Sequence, residues 1–415
     1  MTSQGWNAPD LRKRNRAGIL RLVHRQGDIA RNELALALGL TKAAVTILVN
    51  ELIDDGLIVE AGEQAGARRA GRRKIALRIR PDAGLILGVG IDAERVQVLL
   101  ADLSGAVLGV RNLPPPRALP HAPALGESED GIMGARIAAA VYAAAAKLAG
   151  GTGFSALGIV GAGLGVTGRV DEERGVSLRE PRLWSAPVAL REPLEDALKL
   201  CVSVDNNVRA LALAELLLTD ARSESPAGLL FVKYGPGVGA SWTMGGTPWP
   251  GAHHRSGELG HTVVASEGPI CPYCGRVGCL ESLVSAHALE LALGRLEGGP
   301  KNHAAKRFGA GSRTDELCEL LRLRDSAAYE RLASRFALAL GNAIELCDPT
   351  AVVLYGTPFR QGPLFDEIAR RVEANERPCD IRRSAMDPAL PALGGAALAL
   401  ERFFADGGAA CSARI

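Results

Sequence analysis

Residues 31–60 read RNELALALGLTKAAVTILVNELIDDGLIVE, and no other stretch of the 415 residues narrows the possible folds as much. Leu34, Ala35 and Leu38 share one helical face. Gly39 follows where a tight turn needs positive φ, Leu40 plugs the core, and Thr41 is a good N-cap for a second helix. Val45, Leu48 and Leu52 are directed inward from that helix. A small residue at Ala35, where two helices would cross closely, with glycine four positions on and apolar residues at the later offsets, is the helix-turn-helix pattern. Thr41, Lys42, Ala43, Ala44, Thr46 and Asn50 then face outward near the start of the second helix. These side chains are short enough to lie in a major groove, and they form the expected DNA-reading set.

The flanks extend this pattern to a winged module over residues 1–80. A helix is predicted over Leu11–Arg25, with Ile19, Leu20 and Val23 on one face. Gly56–Glu60 and Lys74–Arg78 read as two strands around AGEQAGARRAGRR, a wing carrying Arg68, Arg69, Arg72 and Arg73. Arginines on such a glycine-rich loop can enter a narrow minor groove or clamp phosphate. Residues 1–80 hold 15 Lys plus Arg against 8 acids, a net +7, whereas the remainder carries −5. A basic head on an acidic body is the charge pattern of a polyanion binder. A solvated basic surface is the lesser alternative on charge alone; the helix pattern decides between them.

The body has a different texture. The length corresponds to two or three domains, and with 47% apolar and 23% charged residues there is ample core material. Strands are expected within 84–113, at Ala156–Val166, Cys201–Val204, Gly228–Val232, Gly239–Met244 and Ala351–Leu354, with an Ala-rich helix about Ile132–Ala149. Strands and helices alternate, with a strand meander opening each half, which predicts an α/β protein of two lobes. No run approaches 18 uninterrupted apolar residues, and the first residues lack the apolar stretch of a signal peptide. The expectation is a cytoplasmic protein without a membrane span. Eight cysteines make no secreted disulfide scaffold, yet three of them, Cys271, Cys274 and Cys279, fall within nine positions, ten residues after His261. One imidazole and three thiolates form a closed tetrahedral set, which predicts one structural Zn2+ per chain.

Four stretches carry a resemblance over essentially the whole chain: LGVGID at 87–92, VDNNVRALALAE at 204–215, SGELGH at 256–261 and CPYCGRVGCLE at 271–281. They resemble the ROK family (repressors, open reading frames and sugar kinases), and the basic head makes the chain similar to its repressor branch. The resemblance implies an actin-like (ribonuclease-H-like) two-lobed α/β body behind the winged helix-turn-helix. The lobes are expected at 84–204, completed by a C-terminal helix at 393–405, and at 205–392. It assigns zinc to the same four residues, although the family usually places one residue between the first two cysteines, where this chain has Pro272 and Tyr273. It also implies that Asn206, Asn207, Glu258, His261 and Glu281 bind a sugar in the cleft, with the histidine using one ring nitrogen for metal and the other for sugar.

Against the kinases of that family, the chain departs at the reacting groups. Asn207 stands where they carry an aspartate general base, and an amide cannot take a proton near neutral pH. Arg209 replaces a small polar residue. Ala93-Glu94-Arg95 replaces a Gly-Gly-Thr phosphate turn, and Tyr355 stands where the adenine-side loop has glycine. Gly235, Gly237 and Gly239 keep the second glycine turn. The expectation is therefore a non-enzymatic transcriptional regulator, a repressor in type, that binds a double-stranded operator as a homodimer or homotetramer and responds to a sugar or sugar derivative. The alternative is a hexose kinase with an added DNA-binding head.

Overall fold

The computed structural model describes residues 7–63, 75–119, 129–151, 158–219, 228–296, 314–360, 362–374 and 379–410. The chain divides into two compact units, Met1–Glu224 with Pro391–Ile415, and Ser225–Leu390.

The first unit begins with three helices, α1 (Ala8–Gln26), α2 (Arg31–Leu38) and α3 (Lys42–Asp54), and the antiparallel pair β1 (Ile58–Glu63) and β2 (Ile75–Ile79). Asn7 caps α1 by accepting from the Asp10 amide, and Thr41 caps α3 by accepting from the Ala44 amide at 3.2 Å. Gly39 takes φ 64 between α2 and α3, and these helices cross at 117°, within the range of a helix-turn-helix. Leu34, Ala35, Val45, Leu48, Val49 and Leu52 are buried, as are Ile19, Leu20 and Val23 of α1. The wing arginines Arg68, Arg69, Arg72 and Arg73 lie outside the described residues.

Next come β3 (Leu85–Ile91), β4 (Val96–Asp102), β5 (Val107–Leu113), α4 (Glu129–Gly151) and β6 (Ile159–Val166). A small sheet of β7 (Arg169–Asp171), β8 (Val176–Arg179) and β9 (Val188–Ala189) leads through α5 (Arg191–Leu198) to β10 (Val202–Asn206) and α6 (Asn207–Leu218). The main sheet has the order β10-β6-β3-β4-β5: an antiparallel meander with two strands added in parallel. One sheet face presents Leu87, Val89, Leu164 and Val166, which pack with Met133, Ile137 and Val141 of α4. The other face carries alternating glycines. A Cβ on Gly163 would lie 2.2 Å from the Gly395 carbonyl oxygen, and one on Gly88 would lie 2.4 Å from that of Ala392. The C-terminal helix Ala392–Ala405 rests directly in the groove these glycines leave.

One sequence expectation needs correction. The division does not fall after Val204, because β10 continues to Asn206 in parallel register with β6 and α6 packs on the C-terminal helix. Residues 205–224 therefore belong with the first unit. A segment of spanning length also exists: Ile132–Gly150 has mean hydropathy 1.4, but half of it is buried, on the sheet. A core helix satisfies the same length and composition.

The second unit repeats the topology. β11 (Gly228–Tyr234), β12 (Val238–Met244), β13 (Thr247–Pro248), β14 (Ala351–Tyr355) and β15 (Asp380–Arg383) run in the order β13-β12-β11-β14-β15, again a meander plus two parallel strands. Its core joins Leu230, Val232 and Tyr234 to Phe336, Leu340 and Ile368. The short helix α7 (Leu280–Val284) and α8 (Ala286–Leu296) follow the cysteine-rich loop.

Candidate functional sites

At the head, Thr41, Lys42, Ala43, Thr46 and Asn50 are exposed, and Ala44 is half-buried. Several of these groups already have partners. The Thr46 hydroxyl donates to the Lys42 carbonyl at 2.8 Å, and Asn50 accepts from Arg31 at 3.2 Å. Lys42 has no ion pair among the described residues. Ile47, unremarked in the sequence, is 61% exposed on the same helix, an apolar contact of the kind that meets a thymine methyl. The head's charge is less available than its count implies. Arg12 and Arg16 pair with Glu51, Arg31 with Glu60, Arg78 with Asp28 and Arg80 with Asp82. Lys13 and Arg21 pair with Asp406 and Glu401 at the C-terminal helix. Beside these, buried His24 places Nε2 2.9 Å from the Leu217 carbonyl oxygen at the end of α6.

In the second unit, His261, Cys271, Cys274 and Cys279 bring one ligand atom each to within 4.8 Å of one another, a cluster that could hold a metal ion. His261 Nδ1 faces the sulfurs, 3.7 Å from Cys271 and 4.0 Å from Cys279, and the thiols are free. The loop is closed by the bridges Val263↔Cys279 and Ile270↔Val277. Burial pushes the Cys271 thiol up to about 11, and a coordinated cation is what would hold such a sulfur as thiolate near neutral pH. The extra residue between the first two cysteines leaves the donor set compact.

The expected sugar groups fall in both units. Glu258 Oε2 lies 3.7 Å from His261 Nε2, the nitrogen turned away from the sulfurs, and its side chain is 46% exposed. Gly257 before it has φ 77, and a Cβ there would meet the Ala240 carbonyl oxygen at 2.0 Å, so only glycine lets this loop lie on β12. Glu281, in the first turn of α7, accepts from the Val238 amide at 2.9 Å, tying the cysteine loop to the glycine turn 235–239. In the first unit, Asn206 caps α6 through the Val208 and Arg209 amides and donates to the Gly168 carbonyl at 2.7 Å. Its Oδ1 and one Nδ2 hydrogen are thus engaged in the fold. Asn207 is buried, and its amide makes no side-chain hydrogen bond among the described residues. Arg209 is buried in an ion cluster with Asp205 and Glu172. Burial raises the Asp205 carboxyl, and Arg209 offsets part of that rise.

A profile of the ROK family matches residues 136–402, and one of the MarR family matches residues 13–70. The chain belongs to the ROK family. It is 26% identical over 372 residues to the xylose repressor of Caldicellulosiruptor bescii, covering 87% of this chain and 88% of that one. To the DNA-binding transcriptional dual regulator NagC of Escherichia coli K12 it is 27% identical over 354 residues, covering 84% and 82%. A solved ROK family transcriptional regulator, homologous to the E. coli MLC protein, superposes with TM-score 0.75 at 22% identity, covering 96% and 98%. A ROK glucokinase from Streptomyces griseus gives TM-score 0.57 at 22% identity, with 76% and 99% covered. The body is thus the actin-like, ribonuclease-H-like ROK fold behind a winged helix-turn-helix.

Within this ROK body, the turn after Asp92 is closed on itself. Asp92 Oδ1 accepts from the Glu94 amide at 2.8 Å and the Arg95 amide at 3.0 Å, the amides a phosphate turn would offer to a nucleotide. Tyr355 is a core residue at the end of β14, its ring 5.6 Å from that of Phe231.

Proposed function

We propose that this ROK protein is a DNA-binding transcriptional regulator, a repressor, whose operator affinity is set by a sugar or sugar derivative. The observation that carries the reading is the outward face of α3, with Lys42, Thr46 and Ile47 exposed on a helix-turn-helix held to a ROK body. Relatives named xylose repressor and NagC support it. The kinase alternative is disfavoured by Asn207, which cannot act as general base, and by Asp92, which occupies the neighbouring turn amides. Glu258 and His261 take effector hydroxyls in the second unit, together with Glu281, which also holds their loop, and Asn206 and Asn207 are the sugar-binding groups of the first unit. One structural zinc per chain sits among His261, Cys271, Cys274 and Cys279. It fixes His261 through Nδ1 and leaves Nε2 for the ligand, second-layer control of an imidazole of the usual kind. Thr41, Lys42, Ala43, Ala44, Thr46 and Asn50 meet the major groove, with Arg68, Arg69, Arg72 and Arg73 at the wing. A homodimer or homotetramer supplies paired heads for half-sites about one helical turn apart.

The test is Glu258→Ala in the full chain. Operator binding without sugar should persist, and the sugar-dependent change should vanish, in a titration against D-xylose, D-glucose and N-acetyl-D-glucosamine. An unchanged sugar response would remove the effector from this part of the protein.

A further inference from the structure

One cysteine stands apart from the metal cluster and from every free thiol of the chain. The sequence has eight cysteines. Cys271, Cys274, Cys279, Cys318, Cys347 and Cys379 are free thiols, whereas Cys201 is disulfide-bonded. The eighth, Cys411, lies outside the described residues, directly after the last of them, Ala410. By elimination it is the one cysteine left to pair with Cys201 within the chain.

The fold leads the chain end to that place. Cys201 stands immediately before β10, and its carbonyl accepts from the Ala162 amide of β6 at 3.3 Å. The C-terminal helix crosses the same strand. A Cβ on Gly163 would lie 2.2 Å from the Gly395 carbonyl oxygen, and one on Gly161 would lie 3.7 Å from that of Ala399. As its numbering rises, the helix therefore runs toward the end of β6 where Cys201 stands. The turn after the helix is seated on the winged head. The Gly407 carbonyl accepts from Arg16 Nε at 2.9 Å, and Asp406 pairs with Lys13. Arg16 in turn reaches Asp55 and Glu51 at the end of α3. A Cβ on Gly408 would lie 2.3 Å from Leu57 Cδ1 and 3.2 Å from Leu20 Cδ1, so the backbone there rests directly on the core of the head. Cys411 follows three positions later.

We propose that Cys201 and Cys411 form a reversible, peroxide-sensitive disulfide that fastens the chain after the C-terminal helix to the start of β10 and so holds the winged head on the body. One bonded pair beside six free thiols is no disulfide scaffold; an isolated bond of this kind is a switchable one. The oxidant is a hydroperoxide. One thiolate attacks a peroxide oxygen, giving a sulfenic acid and, with hydrogen peroxide, one water. The second thiolate then attacks the sulfenic sulfur, the S–S bond forms, and the hydroxide displaced leaves as a second water. A dithiol reductant returns both cysteines to thiols and is itself oxidised to a disulfide. With the bond closed, the turn at Asp406–Gly408 is tied to the sheet as well as to the head, so the head loses less freedom when it docks on DNA.

The experiment uses full-length wild type, Cys411→Ser and Cys201→Ser, each treated with equimolar hydrogen peroxide or with excess dithiothreitol. The linkage is read by mass spectrometry of a non-reducing digest. DNA affinity is read by anisotropy on a duplex that the protein selects from a random pool. Oxidised wild type should yield a peptide pair joined at 201 and 411, which dithiothreitol separates. It should also bind the duplex at least about threefold more tightly than reduced wild type. Both variants should bind like reduced wild type under either treatment, although they keep the thiols of the metal cluster. Absence of the joined peptides, or Cys201 joined to another cysteine, overturns the pairing. Equal affinity of oxidised and reduced wild type, or a peroxide response that persists in the variants, overturns the hold on the head.

Discussion

Replacing Cys274 with alanine takes one of four ligand atoms from a cluster whose members lie within 4.8 Å of each other. The loop between His261 and Cys279 has few other supports. Two isolated bridges close it, the Val264 and Ala265 amides reach the Gly278 carbonyl at 2.9 and 3.3 Å, and Val263, Ile270 and Val277 are exposed. With so little apolar burial, the ion supplies much of the order. Structural zinc contributes about 10–16 kcal/mol of apparent binding free energy at neutral pH, so an even share is roughly 2.5–4 kcal/mol per ligand. Losing one ligand should therefore weaken metal binding about a hundredfold to a thousandfold. Because Cys279 N-caps α7 and Glu281 holds the Val238 amide, the disorder should spread to the glycine turn and to Glu258. The assays are zinc content of protein purified without added metal, competition with a chromophoric chelator, and protease sensitivity of the loop. Wild type should hold nearly one zinc per chain. Cys274→Ala should lose zinc to the chelator, expose the loop to cleavage and lose the sugar response. Full zinc at wild-type affinity together with a normal sugar response would refute the assignment.

Two further outcomes follow from the head. Lys42→Ala should weaken operator and nonspecific DNA alike and reduce the log–log salt slope by about one, read by anisotropy across a salt series. His24→Ala removes the buried contact to the Leu217 carbonyl and a ring packed 5.3 Å from Phe404. The loss of this hydrogen bond should cost about 1–3 kcal/mol of stability. Because α6 runs from Asn207 to that carbonyl, the variant should also shrink the sugar effect on DNA affinity more than it alters sugar affinity itself.

The helix-turn-helix was legible because its constraints are local: Gly39 turns with positive φ, Thr41 caps, and the apolar offsets close a three-helix core. The metal cluster was legible because four soft donors in nineteen residues have few other uses. What escaped the sequence was long-range. Gly88 and Gly90 in LGVGID and Gly163 in GAGLGVTG belong to a groove for a helix more than two hundred residues away. Net charge in the head concealed ion pairs made partly with Glu401 and Asp406. Asn206, expected on a sugar, also caps α6 and holds Gly168, a structural role fixed only once β6 and β10 are side by side.

The most direct measurement is operator affinity of the full-length protein with and without D-xylose, D-glucose or N-acetyl-D-glucosamine, with ATP turnover followed in the same samples. Allosteric coupling of about 1–3 kcal/mol corresponds to a change of roughly 5–150-fold. At least one sugar should change operator affinity within that range, and no sugar should stimulate ATP hydrolysis. Operator affinity indifferent to every sugar, or sugar-dependent ATP turnover, would contradict a sugar-responsive regulator built on a ROK body.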